Sequence, residues 1–137
     1  MSQDEQHLQL LSIFHYVVGG IVGLIACLPC IHLALGIALV SGVIPAQPGH
    51  QGPPSWFGWI FICGGSVFIL LGWSLAVATI LAGRFLARRT HYIYCLVVAA
   101  IECAFMPFGS VLGVFTIVVL MRPSVKALFE SGGRSSY

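Results

Sequence analysis

The chain has 137 residues, 58% of them hydrophobic and only 7% charged, with six Lys and Arg against four Asp and Glu. Ordinary soluble domains carry about 25% charged residues, whereas no Asp, Glu, Lys or Arg occurs here between Gln6 and Gly83. That run excludes a water-solvated surface, and a net charge of +2 excludes the clustered basic face that nucleic acid requires.

A lipid bilayer is therefore the expected solvent, and about 20 helical residues cross its core of about 30 Å. The chain starts MSQDEQ, acidic where a signal peptide would be basic, so the first apolar segment is expected to be retained. Leu8, Leu11, Phe14 and Val18 recur at helical spacing, with Gln6, Gln9 and Ser12 between them. This amphipathic start either lies in the interface or extends the first span, and the two together occupy residues 6–43. Ser41–Ser55 holds four prolines and three glycines, which stop the helix and place an outer loop at 44–55.

The second span, 56–89, opens with Trp56, Phe57 and Trp59, suited to a headgroup belt, and closes with Arg84, Arg88 and Arg89. Since the first loop has no Lys or Arg, the positive-inside rule puts the arginines and both termini on the cytoplasmic side. Residues 91–121 are long for one span and short for two, and Pro107-Phe108-Gly109-Ser110 breaks them as a turn would. Arg122, Lys126 and Arg134 follow, and a hairpin of 91–106 and 109–121 returns them to the same side. A re-entrant hairpin is the alternative. The remainder, 122–137, reads as a short interfacial helix carrying Val125, Leu128 and Phe129 on one side, then a loose tail. The expected fold is all-α: one integral membrane domain, a four-helix bundle with two long helices and a shorter C-terminal helical hairpin.

The stretch MPFGSVLGVFTIVVLMRPSVKALFE resembles the ending of a widespread group of small bacterial membrane proteins. The shared pattern is P-x-G-[ST]-x-L-G followed after five residues by V-L, matched by Pro107, Gly109, Ser110, Leu112, Gly113, Val119 and Leu120. A weaker similarity covers HLQLLSIFHYVVGG near the start. The resemblance implies a bacterial origin and little else, and it assigns no catalytic residue; with the topology read above, the expected location is the bacterial inner membrane.

Few polar groups remain inside the apolar segments. Glu102 is the one carboxylate there. It requires a partner, water or a cavity, and it is either an ion- or proton-responsive site or a structural, hydrogen-bonded Glu. Helical spacing sets Cys95, Val98 and Ala99 on its face, with Met106 beyond. With no second carboxylate near it in sequence, acid–base hydrolysis has no pair to work with. His15 and His32 are the other titratable candidates, as pH sensors, pore-lining groups or interhelical hydrogen-bonders.

Cys27-Leu28-Pro29-Cys30 has the C-x-P-C form of a thiol-redox pair. It falls within the first span, where apolar surroundings disfavour a reactive thiolate, so the alternative is a proline-containing helix with two small buried cysteines. No loop cysteine is present to serve as partner, and with His32 the two make no four-ligand metal set. Gly19 with Gly23, Gly72 with Ala76, and Gly109 with Gly113 form small-residue pairs at four-residue spacing, the mark of helix contacts in lipid. Some of these are expected to join copies of the chain.

The first functional expectation is a homo-oligomeric pore or channel of weak selectivity, in the role of a stress or defence effector. One chain is too small and apolar to enclose a hydrated path, so the path would form between copies. The second is a non-conducting accessory or scaffold subunit bound to another membrane protein. The third is a thiol-redox enzyme using Cys27 and Cys30. The leading expectation is non-enzymatic and needs neither metal nor cofactor.

Overall fold

The structure is a computed structural model that describes residues 3–43, 54–105 and 108–134, all helix or short connection and without strand among them. The helices are α1 (Gln3–Ile25), α2 (Cys30–Val40), α3 (Ser55–Arg88), α4 (Tyr92–Glu102), α5 (Phe108–Leu120) and α6 (Pro123–Arg134). Two helical runs, Gln3–Val40 and Ser55–Arg88, are long and apolar enough to cross a membrane. Gly109–Leu120 and Pro123–Ser131, bent by 78° at a short break, make a third at most, and Tyr92–Glu102 is shorter than a span. By length and composition this is a membrane protein.

The amphipathic start is continuous with the first span: α1 begins with Asp4 and Glu5 in its first turn, where carboxylates favour the positive helix end. The run expected over 6–43 as amphipathic start plus first span is broken at residues 26–29. Pro29 has no N–H and its ring would strike the Ile25 carbonyl. The chain tightens there, with Cys27 N–H donating to Leu24 O and Leu28 N–H to Ile25 O at 3.1 and 3.0 Å. Those three-residue bonds satisfy backbone groups that lipid could not. Most of the expected outer loop, 44–53, lies outside the described residues.

The chain divides into two compact units. One comprises Val22–Ser74, the end of α1, α2 and the first part of α3. Its helices meet through glycine. A Cβ on Gly36 would come 2.9 Å from Gly58 O, and one on Gly58 would come 3.1 Å from Gly36 O. A Cβ on Gly65 would meet Pro29 O at 3.3 Å, and one on Gly72 would meet the Ala26 Cβ at 2.6 Å. Backbone approach of this kind replaces large interlocking side chains.

The other unit comprises residues 1–21 and 75–137. Buried Leu8, Leu11, Leu86, Leu120, Val125 and Phe129 belong to one apolar cluster drawn from α1, α3, α5 and α6. The turn between α4 and α5 closes tightly because Gly109 and Gly113 lie against α4 and its end. A Cβ on Gly109 would come 2.5 Å from Glu102 O, and one on Gly113 would collide with Ala99 O and with Cys103 Sγ. Ser110 Oγ donates to Cys103 O at 2.8 Å across the same turn, and Pro107 and Met106 are outside the described residues. After α5, Pro123 opens α6 at the first-turn position that suits proline. The apolar side of α6 is seated in the protein: Val125 and Phe129 are buried and Leu128 is half-buried. The helix runs on through Ser131-Gly132-Gly133-Arg134, which the sequence places in a loose tail.

Candidate functional site

Five polar side chains are buried among the described residues, Ser12, His15, Thr79, Glu102 and Thr116, and all belong to the second unit described above. Their positions follow from helical spacing. Ser12 and His15 share the face of α1 that carries Leu8, Leu11 and Gly19. Glu102 ends the α4 face made by Cys95, Val98 and Ala99. Space for the imidazole comes from α3: a Cβ on Gly83 would lie 3.0 Å from both the His15 Cβ and Ser12 O. A turn nearer the middle of α1, Gly19 admits Ile80 and the Ala76 carbonyl, with a Cβ there 2.6 Å from Ile80 Cγ1.

The centre of the group is a pair. His15 Nε2 stands 3.3 Å from Glu102 Oε2, with the two side chains 0% and 4% exposed. On its other edge His15 Nδ1 is 2.8 Å from Leu11 O. A carbonyl oxygen only accepts, so Nδ1 carries the hydrogen and Nε2 is left facing the carboxyl. An unpaired charge on either group would be costly away from water.

The surroundings leave this pair dependent on itself. Ser12 Oγ donates to Gly83 O at 2.7 Å and Thr116 Oγ1 to Leu112 O at 2.7 Å, so those hydroxyls are committed to backbone. The Thr79 hydroxyl, His15 Nε2 and both Glu102 oxygens are buried without a hydrogen-bond partner among the described residues. Among the described residues no other charged side chain is buried with them.

The remaining sequence candidates lie elsewhere. His32 is not buried: it is exposed and stacks on Phe61 at 5.9 Å between centroids. Cys27 and Cys30 are not buried either. Both are exposed free thiols, and Cys27 Sγ donates to Gly23 O at 3.4 Å, because the turn ahead of Pro29 directs them outward. Among the described residues no three His, Cys, Asp or Glu gather as a metal ion would require. Gly19, Gly72, Gly109 and Gly113 are used within the chain, and Ala76 is buried beside Gly19.

Sequence reasoning did not single out Ser12, Thr79 or Thr116, nor the glycines Gly36, Gly58 and Gly65. A signal was present for several of them. Gly58, Gly65, Gly72, Thr79 and Leu86 repeat every seven residues along α3, and each is buried or half-buried.

At the charged end of this unit, Arg89 Nη2 lies 2.8 Å from Glu5 Oε1 and Arg122 Nη1 lies 3.4 Å from Asp4 Oδ1. Tyr92 Oη donates to Leu120 O at 3.1 Å, satisfying a carbonyl at the last turn of α5. These contacts gather the start of α1, the end of α3, the start of α4 and the α5–α6 corner.

Compared with known proteins, the chain matches no family model, no curated protein and no solved structure.

Proposed function

We propose that this chain is a non-enzymatic integral membrane protein that responds to protons through the His15–Glu102 pair. The observation that carries the reading is the pair itself: an imidazole and the one buried carboxyl, 3.3 Å apart and closed off from solvent. Histidine is the side chain whose charge changes in the physiological range, and here it ties α1 to α4. A change in the number of protons held alters the attraction between those helices and hence the packing of the α4–α5 hairpin. The other titratable groups on that hairpin are Cys95, buried on the α4 face below Glu102, Cys103, beside Gly113, and Tyr92 and Tyr94, whose hydroxyls donate to Leu120 O and Ala78 O. The arginine next to Gly83, Arg84, is exposed. The test is infrared spectroscopy of the reconstituted protein at stepped pH. A carboxyl band that changes with pH, and disappears in Glu102→Gln, is expected. An identical pH profile in Glu102→Gln overturns the reading.

The two ion pairs support a topology with the start of α1 and the α5–α6 corner on one side, as four crossings with cytoplasmic termini in a bacterial inner membrane require. A second reading, the homo-oligomeric pore of weak selectivity, is favoured by Gly20 and Gly64. A Cβ on either would meet nothing within 4 Å, so both leave small, open helix surface for another copy. The mass of the detergent-solubilised particle and ion flux in liposomes test it; a monomer without flux removes it.

A further inference from the structure

We infer that α6 is a hinged cover controlling access of water and protons to the His15–Glu102 pair from the charged end of its unit. Polar atoms lead from the pair in that direction. His15 Nδ1 bonds the Leu11 carbonyl one turn back along α1, and Ser12 bonds the carbonyl of Gly83, whose neighbour Arg84 is exposed. In the opposite direction along α1 the chain is closed by Gly19 against Ile80 and Ala76, where helix backbones meet too tightly for passage. Toward the charged end, Leu11 of that turn belongs to the apolar cluster with Leu8, Leu86 and Leu120, to which α6 contributes Val125 and Phe129. Phe129 is further placed edge-on to Tyr92, at 5.6 Å between centroids.

The seating of α6 is of a kind that opens. Its link to α5 is a break at Met121–Arg122, beyond which the helix turns by 78°. Pro123 removes the N–H that would have continued the ladder across this corner. A single half-exposed ion pair, Arg122 with Asp4, pins the hinge, and Ser124 lies beside the same carboxylate. Exposed pairs of this type are weak and salt-sensitive. The outer side of α6, with Lys126, Ala127 and Glu130 exposed, is free to stay in water as the helix swings. Lifting Val125 and Phe129 would open the cluster they share with Leu8 and Leu11, on the helix face that carries the imidazole.

The inference adds a route to the proton site proposed above but is tested separately from it. The full chain in phosphatidylcholine nanodiscs is treated with a water-soluble carbodiimide and glycine ethyl ester, and modification of Glu102 is followed by peptide mass spectrometry. Asp4→Asn with Arg122→Gln loosens the hinge without touching the core, and Phe129→Ala loosens the seat. Labelling of Glu102 is expected to rise about twofold in the hinge variant, the factor given by about 0.5 kcal/mol of lost docking, and about tenfold in Phe129→Ala, the factor given by about 1.4 kcal/mol. In the unaltered chain it should rise with salt, and the hinge variant should lose that salt dependence. Circular dichroism reports whether each variant remains folded, and the hinge variant serves where Phe129→Ala does not. Equal labelling rates in the unaltered chain and the folded variants overturn the cover. If labelling rises while the infrared band shows no pH dependence, the cover stands and the proton reading falls.

Discussion

The two units of this chain are built from the same apolar vocabulary and held by opposite means. In Val22–Ser74 the buried positions are Ala26, Gly36, Gly58 and Gly65, and no polar side chain is buried among the described residues. In the other unit, large side chains such as Leu86 and Leu120 are fully covered, and all five buried polar groups are collected there. The first is a helix contact that suits lipid, where close backbone approach is the available source of attraction. The second contains what a bare helix contact does not need: a hydrogen-bonded imidazole against a carboxyl. The difference teaches where to look for chemistry in a chain this apolar. It is found where side chains have been allowed to become large and polar together.

The largest effect should come from attacking the glycine-built contact. Gly36→Leu drives a side chain at Gly58 O and Ile62 N, both 2.9 Å from the position of its Cβ, and these backbone atoms cannot swing aside. A loss of about 3 kcal/mol is expected in unfolding measurements in detergent, from overpacking alone. Next comes the polar pair. His15→Leu or Glu102→Leu alone should each cost about 2 kcal/mol, because the remaining polar group stays buried with an apolar side chain in place of its partner. The double variant should cost less than the sum of the two, and a strictly additive cycle would show that the pair does not interact.

Smaller effects sharpen the contrast. Asp4→Asn should change stability by no more than about 0.5 kcal/mol, and that change should vanish in high salt, as befits an exposed ion pair. Gly20→Ala is the smallest. With open space around it, a stability change within about 0.5 kcal/mol is expected, against a measurable loss for Gly36→Ala. Equal behaviour of the two glycines would remove the distinction between contact and open surface.

Much of the architecture is legible in the amino-acid order because it depends on local rules. The charge-free run marks the lipid segments, proline marks the ends of helices, and the face of α4 bearing Cys95, Val98, Ala99 and Glu102 follows from periodicity alone. Glu102 and His15 were each visible as singular polar residues in apolar surroundings. That they meet was not, because 87 positions separate them and no local rule carries a contact across that distance. His32 looked equivalent to His15 in sequence, and only the turn at residues 26–29 and the packing around Phe61 leave it on the outside. The two cysteines beside Pro29 were expected inside for the same reason and are outside for the same reason. For α6, the pattern of Val125, Leu128 and Phe129 announces an amphipathic helix but not its neighbour, which could be lipid or protein. The cluster with Leu8 and Leu11 answers that question, since those two leucines offer an apolar seat at the start of α1.

The length of α3 has a consequence for where the protein can reside. Its 34 residues extend about 50 Å at 1.5 Å per residue, and its uncharged part, Trp56 to Gly83, about 40 Å, beyond the roughly 30 Å of bilayer hydrocarbon. Such a helix is accommodated by leaning or by gathering thicker lipid around itself, and mismatch of this sign sorts proteins among membranes. Bilayer thickness thereby becomes a variable acting on a helix whose far end supplies Gly83 to the imidazole, so lipid chain length belongs beside pH as a handle on this molecule.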